Sequence, residues 1–185
     1  NDNLNMLNDY EHWYVDGTFK SCPSLFHQIF TIHVIRRNKT MPIIYCLLPN
    51  STRETYSRVL DAILALQPNL NPTSVLLDFE IATITAFRTI FPNTHLRGCN
   101  FHFNQCFWRH VQPVAVVATE YKENSTFALN LRYLTALAFV PPSKIITSYE
   151  KILNSDFFIL HEDNFAPILN YFERTWIGLK NLRGI

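Results

Sequence analysis

Residues 13–20 read WYVDGTFK, an apolar run that breaks on an aspartate followed by a glycine. A carboxylate at the lip of a buried strand is costly unless it is paired, hydrogen-bonded or bound to a cation. The pattern recurs in residues 74–80, SVLLDFE, where Asp78 ends the run Val75, Leu76 and Leu77. Whether Asp16 and Asp78 belong to one site depends on whether their two strands are neighbours.

Periodicity speaks to that. Residues 27–35, HQIFTIHVI, alternate like a strand, with Phe30, Ile32 and Val34 on one face. The polar RRNKT of residues 36–40 reads as a hairpin connection, and residues 41–49, MPIIYCLLP, as a third strand bounded by prolines. The period then changes. Ser51 and Glu54 have capping-box spacing, and Tyr56, Val59, Leu60, Ile63 and Leu64 follow at helical intervals. Residues 75–78 are a short buried strand, and Ile81, Ile84, Phe87 and Phe91 lay down a second helical stripe. Residues 95–101, HLRGCNF, read as a fifth strand, with a third helix through Phe103, Cys106, Phe107, His110 and Val111.

The order β-β-β-α-β-α-β-α predicts an α/β protein with a five-stranded mixed sheet flanked by helices. The first three strands pair antiparallel, and the later two arrive by right-handed crossovers. The first and fourth strands then lie side by side and parallel, each with an aspartate at its carboxyl end, where open α/β sheets place their ligands. From Pro113 the strand pattern stops, and helices are predicted over residues 126–139, 143–153 and 165–177. The expected division is a core over residues 1–112 and an all-helical extension over residues 113–185.

Composition narrows the class. With 48% hydrophobic residues and 4 glycines in 185, the chain is globular rather than disordered. A net charge of +1 gives no bulk electrostatic case for nucleic acid, leaving only local basic faces. Cys22, Cys46, Cys99 and Cys106 are too sparse for a disulfide framework and read as reduced thiols of an intracellular protein. No apolar run reaches the ~18 residues of a membrane span, and no signal peptide is visible. The polar opening NDNLNMLNDYEHW lacks an initiating methionine and reads as an excerpt of a longer reading frame.

Two carboxylates on adjacent strand ends suit Mg²⁺ or Mn²⁺, and a two-metal pair activates a water or 3′-hydroxyl against a phosphodiester. The plainer alternative makes Asp16 a turn residue before Gly17 and Asp78 the cap of the next helix. Cys99 and His102 stand in C-x-x-H spacing, half of a zinc site, with Cys106 and His110 as the conceivable other half. A buried thiol and a hydrogen-bonded imidazole are the preferred reading there, with zinc set aside. Arg36, Arg37 and Lys39 read as a solvated hairpin tip or a weak contact to a phosphate backbone, on the premise that the hairpin stands beside the metal site. The chain has no glycine-rich phosphate loop and no other small-molecule cofactor motif.

Taken together, YVDGTFKSCPSLFHQIFTIHV, MPIIYCLLPNSTRETYSRVLDAI, VLLDFEIATITAF and FPNTHLRGCNFHFNQ resemble the transposase domain of Mutator-like DNA elements. LRYLTALAFVPPSKI and YFERTWIG look like the animal branch of that family. The resemblance implies an RNase H-like fold with a DDE-type site, in which Asp16 and Asp78 match the first two catalytic aspartates. It also implies Mg²⁺ or Mn²⁺ as cofactor, DNA as partner, a homo-oligomer in the complete transposase, and nuclear residence. Cys99 and His102 match the family's C-x-x-H signature, with a structural or DNA-positioning role. The helices after Pro113 match the insertion that precedes the family's final glutamate.

The chain departs from the pattern in that glutamate, whose Thr-Asn-Asn-type stretch does not occur before Ile185. Glu150 and Glu173 read as solvated helix-face charges, and Glu80 as compensation of a helix dipole. With two of three acids the chain is expected to be inactive alone. The alternative is a decayed or domesticated relic that binds DNA or protein without catalysis.

Overall fold

Residues that alternate in twos make the sheet here, and residues spaced by three and four cover it. The structure, a computed structural model, describes residues 2–178. In chain order it runs α1 (Asp2–Asn8), β1 (His12–Thr18), β2 (Gln28–Arg36), β3 (Lys39–Leu48), α2 (Arg53–Leu66), β4 (Ser74–Leu77), α3 (Ile81–Ile90), β5 (His95–Gly98) and α4 (Asn100–Val111). The helical remainder is α5 (Ala115–Glu123), α6 (Ser125–Ala136), α7 (Ile145–Leu153), α8 (Asp156–Leu160) and α9 (Glu162–Phe172), with a π turn over Glu173–Ile177. Residues 179–185, the end of the expected helical extension, lie outside the described residues.

The sheet order is β3-β2-β1-β4-β5. β1, β2 and β3 are antiparallel neighbours, while β4 lies parallel to both β1 and β5. The expected mixed sheet is therefore present, with the two aspartate-bearing strands adjacent. One face is apolar: Trp13 and Val15 from β1, Phe30, Ile32 and Val34 from β2, and Val75 and Leu77 from β4 are buried. Tyr56, Leu60 and Ile63 of α2 and Ala86 and Phe87 of α3 cover that face.

The chain forms two compact units, Asn1–His102 and Phe103–Ile185. The division falls inside α4, whereas the sequence reading placed it after residue 112. The reason is that Phe103, Phe107 and Val111 of α4 are buried in the core of the second unit. That core is rich in aromatic rings, with Phe172 against Phe103, Phe107 and Tyr149. α5 and α8 were not expected: α8 has only five residues, too few to show a helical period.

Three further details differ from expectation. α1 forms in an asparagine-rich stretch of poor intrinsic propensity because Leu7 is fully buried and Asn3 Nδ2 donates to the Ile43 carbonyl at 3.3 Å. The cap of α2 is Thr52 rather than Ser51; its Oγ1 accepts from the Thr55 N–H at 3.3 Å. β5 stops at Gly98, so Asn100 and Phe101 belong to the first turn of α4 and not to a strand.

The β2–β3 connection is a two-residue turn, with Arg37 at φ 50° and Asn38 at φ 60°. Two successive left-handed residues define the type I′ turn, which favours Asn-Gly. An arginine at positive φ carries Cβ strain that asparagine tolerates better. Replacing Arg37→Asn together with Asn38→Gly is expected to stabilise the first unit by about 1 kcal/mol. A shift of the urea midpoint at unchanged slope is the readout; an unchanged or lower midpoint would count against this turn geometry.

Candidate acid-pair site

Strand register brings the two aspartates together. β1 pairs with β4 from His12↔Ser74 to Tyr14↔Leu76. Two residues past the last pair come Asp16, still within β1, and Asp78, just past the end of β4, and the two line one small cavity with Gly17, Gln28, Tyr56 and Glu80. β4 ends at Leu77, but β1 continues to Thr18 on its β2 side, with Asp16 opposite Thr31. Asp16 is thus inside a strand rather than at its end, and its β4 side is open because that neighbour has stopped.

Local hydrogen bonds hold both side chains. Asp16 Oδ1 accepts the Gly17 N–H at 2.9 Å, and its backbone carbonyl accepts from Thr31 Oγ1 at 3.1 Å. Asp78 Oδ1 accepts the Glu80 N–H at 3.1 Å. These are the turn and cap bonds of the plainer reading; they coexist with the placement of both acids at one cavity. Burial, with the Glu80 and Asp16 charges adding to it, holds the Asp78 carboxyl above its ordinary value, against the Glu80 N–H and the His102 ring. A carboxyl raised in this way favours folding when protonated and loses that contribution as pH rises through its folded value. At neutral pH the ionised group is therefore under-compensated, a condition a bound cation relieves.

Beneath the acids runs a buried chain of hydrogen bonds that the sequence reading missed. Gln28, almost fully buried at the start of β2, donates from Nε2 to the Tyr56 hydroxyl. Tyr56 donates to Glu80 Oε2 at 2.6 Å, and Thr83 Oγ1 donates to the same oxygen at 2.9 Å. Glu80 is the cap residue of α3, but its carboxylate serves Tyr56 and Thr83 rather than the helix dipole alone. The glycines of the motifs also find their reason here. A Cβ on Gly17 would collide with Gln28 Oε1, and one on Gly98 would collide with the Phe79 ring. Gly17 makes room for the amide that fastens Tyr56, and Gly98 makes room for the aromatic neighbour of Asp78.

The C-x-x-H residues separate in role. His102 turns toward the acids, with Nε2 4.0 Å from Asp16 Oδ1, while its Nδ1 is buried without a hydrogen-bond partner among the described residues. Cys99 sits at the β5–α4 junction, half-buried, its N–H donating to the Leu77 carbonyl at 2.8 Å. Further along α4, His110 Nδ1 lies 2.9 Å from the Cys106 carbonyl, and its ring stacks on Tyr171 at 3.4 Å.

The basic hairpin tip lies elsewhere. Asp16 is opposite Thr31, and Arg36 lies five residues further along β2, about 17 Å away at strand rise. Arg36, Arg37 and Lys39 therefore stand at the opposite end of the sheet from the acids, contrary to the premise on which a phosphate contact beside the site was expected. The cations nearer the acids are Lys20, four residues after Asp16, and Arg97, which pairs with Leu76 and so shares the acid face. Arg97 was invisible to a motif search because only β4–β5 register reveals it.

Two carboxylates offer hard oxygen donors that suit Mg²⁺ or Mn²⁺, with water completing the shell. Among the described residues, no group of three or more His, Cys, Asp or Glu side chains is placed to hold a metal ion. Glu80 is tied to Tyr56 and Thr83, and Glu173 accepts from the Tyr149 hydroxyl at 3.0 Å, so it is not the solvated charge expected. Glu150 is exposed on α7. A larger cavity of about 620 Å³ between β3 and α2 is lined by Ile43, Cys46, Leu48 and Val59 and carries none of these acids. Asp16 has half its side chain in solvent, and beside the pair a small cavity is lined by Asp16, Asp78, Gln28, Tyr56 and Glu80.

A family model described as the MULE transposase domain matches residues 12–106. The match spans β1 through the first turns of α4 and includes Asp16, Asp78, Cys99 and His102. No curated protein matches the chain.

Proposed function

The chain belongs to the MULE transposase domain family, and from that premise we propose that its first unit is the two-aspartate half of an RNase H-like, DDE-type catalytic domain of the animal branch. The observation that carries this reading is that adjacent parallel strands bring Asp16 and Asp78 to one small cavity, near enough for the Asp16 charge to act on the Asp78 carboxyl. In the complete protein, water attacks a phosphodiester at the element's end and its P–O3′ bond breaks, leaving a 5′-phosphate and a 3′-hydroxyl; that hydroxyl then attacks a target phosphodiester, whose own P–O3′ bond breaks to release a target 3′-hydroxyl. Asp16 and Asp78 would hold Mg²⁺ or Mn²⁺, which would supply activation of the attacking oxygen and charge stabilisation of the leaving one. The chain's own contribution is to fix the two carboxylates through the Gly17 and Glu80 N–H groups. DNA is the partner, with assembly into a homo-oligomer and nuclear residence in the functional protein; no described helix is long and apolar enough to cross a membrane.

A second reading, a relic that binds DNA or protein without catalysis, draws support from the turn and cap bonds that Asp16 and Asp78 already make to the Gly17 and Glu80 N–H groups.

Mn²⁺ titration of the chain, followed by the electron paramagnetic resonance of free Mn²⁺, tests the acid pair. Asp16→Asn and Asp78→Asn are each expected to weaken binding about tenfold or more, through loss of a charged ligand. Asp78→Asn keeps an acceptor for the Glu80 N–H and removes an under-compensated charge, so its Tm at pH 7 is expected not to fall. Unchanged Mn²⁺ affinity in both variants would overturn the shared site.

A further inference from the structure

Exposed aromatic rings flank the acid pair. Phe19 follows Asp16 by three residues and is 53% exposed; Phe101 precedes His102 and is 67% exposed. Scattered apolar side chains at a surface are ordinary, but these two share a further feature. Each is braced by a histidine in a T-shaped contact: Phe19 by His27 at 5.3 Å and 80°, Phe101 by His102 at 5.4 Å and 74°. Such a contact fixes a ring without covering both of its faces. His102 in turn lies 4.0 Å from Asp16, so one platform is coupled directly to the acid pair.

The charges around the rings identify what fits them. Lys20 and Arg97 are exposed in the loop after β1 and on the acid face of β5, and neither forms a salt bridge among the described residues. An apolar protein-docking surface has a continuous core depleted of charge. Here Phe19 stands between Asp16 and Lys20 along the chain, and Phe101 is joined through His102 to Asp16. Flat apolar rings spaced by cations match a ligand that is itself flat aromatic groups on an anionic backbone.

Building on the acid-pair reading, we propose that Phe19 and Phe101 are stacking platforms for unpaired nucleobases of a DNA strand whose backbone passes the two aspartates. In a duplex each base face is covered by its neighbours, so an aromatic side chain stacks only on a base that has left the helix. The substrate of the site is then a strand end with one or more nucleotides unstacked beside the scissile phosphate, and not a regular duplex.

Fluorescence anisotropy of the full chain tests this, with a labelled oligothymidylate and a blunt duplex of equal length, in EDTA and across a range of salt. The single strand is expected to bind more tightly than the duplex. Phe101→Ala and Phe19→Ala should each weaken single-strand binding about 5- to 100-fold while leaving its salt slope and the duplex affinity unchanged. Phe101→Trp should restore it, and Lys20→Ala should lower the salt slope by about one. Both aromatic positions are surface-exposed, and circular dichroism of each variant verifies that the fold is kept. Alanine variants that bind the single strand like the parent, a parent that prefers duplex, or no DNA binding at all would each overturn the platforms. Because EDTA removes divalent cations here and Mn²⁺ binding is measured without DNA, failure of the platforms and failure of the acid pair are read separately.

Discussion

Trp13→Ala is expected to cost the first unit about 3–5 kcal/mol, the range for deleting a buried tryptophan. Trp13 is 1% exposed and meets Phe91 edge-on at 5.6 Å, so truncation leaves a cavity between β1 and the end of α3. Its indole N–H also donates to the Leu7 carbonyl at 3.3 Å and the Tyr10 carbonyl at 3.0 Å. Those contacts tie α1 to β1 across a short turn, and losing them leaves carbonyls short of a donor. Trp13→Phe keeps part of the ring packing and is expected to lose clearly less. Urea unfolding by far-ultraviolet circular dichroism gives both values. A loss below about 1 kcal/mol for the alanine variant would show that Trp13 is not the anchor described. The consequence for the site is direct, because Trp13 pairs with Val75 three residues upstream of both aspartates.

Tyr56→Phe removes one oxygen and is expected to cost about 2–3 kcal/mol, in the range of a hydrogen bond to a charged group plus its stranded partner. The ring keeps its packing against Phe30 at 5.2 Å, so little volume is lost. What disappears is the link from Gln28 to Glu80, the buried chain lying between Gly17 and the helix cap that donates to Asp78. Burial, and then the Glu80 carboxylate, push the Tyr56 phenol up to about 12. A raised phenol favours the fold while protonated: its contribution is full below about pH 10 and is lost as pH rises toward 12. The parent should therefore lose stability over that alkaline interval by more than Tyr56→Phe does. Amide hydrogen exchange supplies a local readout, with faster exchange expected at the Gly17 and Glu80 N–H groups. Faster exchange spread evenly along α2 and β2, with those two amides unaffected, would reduce Tyr56 to a packing residue.

The chemistry expected at Asp78 and the stability of the fold pull in opposite directions. Burial beside Glu80 and Asp16 disfavours the ionised carboxylate, and ionisation is what a cation needs. Tying Glu80 to Tyr56 and Thr83 gives that second carboxylate its own donors, which lets it stand two residues from Asp78. The interlocking of Gly17 with Gln28, and of Gly98 with Phe79, shows how the glycines of the motifs shape the surroundings of Asp16 and Asp78.

The sheet was legible in the sequence because its signals are local. Alternation through Phe30, Ile32 and Val34, helical spacing through Tyr56, Leu60 and Ile63, and the right-handed crossover rule suffice to order five strands and to set β1 beside β4. The same signals located Asp16 and Asp78. α1, α5 and α8 escaped because weak propensity or short length leaves no period, and long-range contacts such as Asn3 of α1 to Ile43 and Phe157 of α8 to Phe127 form only in the folded chain. Tertiary structure alone decided that Asp16 lies within a strand, that Arg36 stands at the far end of the sheet, and that Arg97 faces the acids. It alone joined Gln28, Tyr56 and Glu80, residues 28 and 24 positions apart along the chain. The physical reason is that side-chain type and spacing report what a residue's near neighbours bury, whereas strand register and buried hydrogen bonds are settled between distant segments, where the alignment that satisfies the core also fixes which polar groups meet.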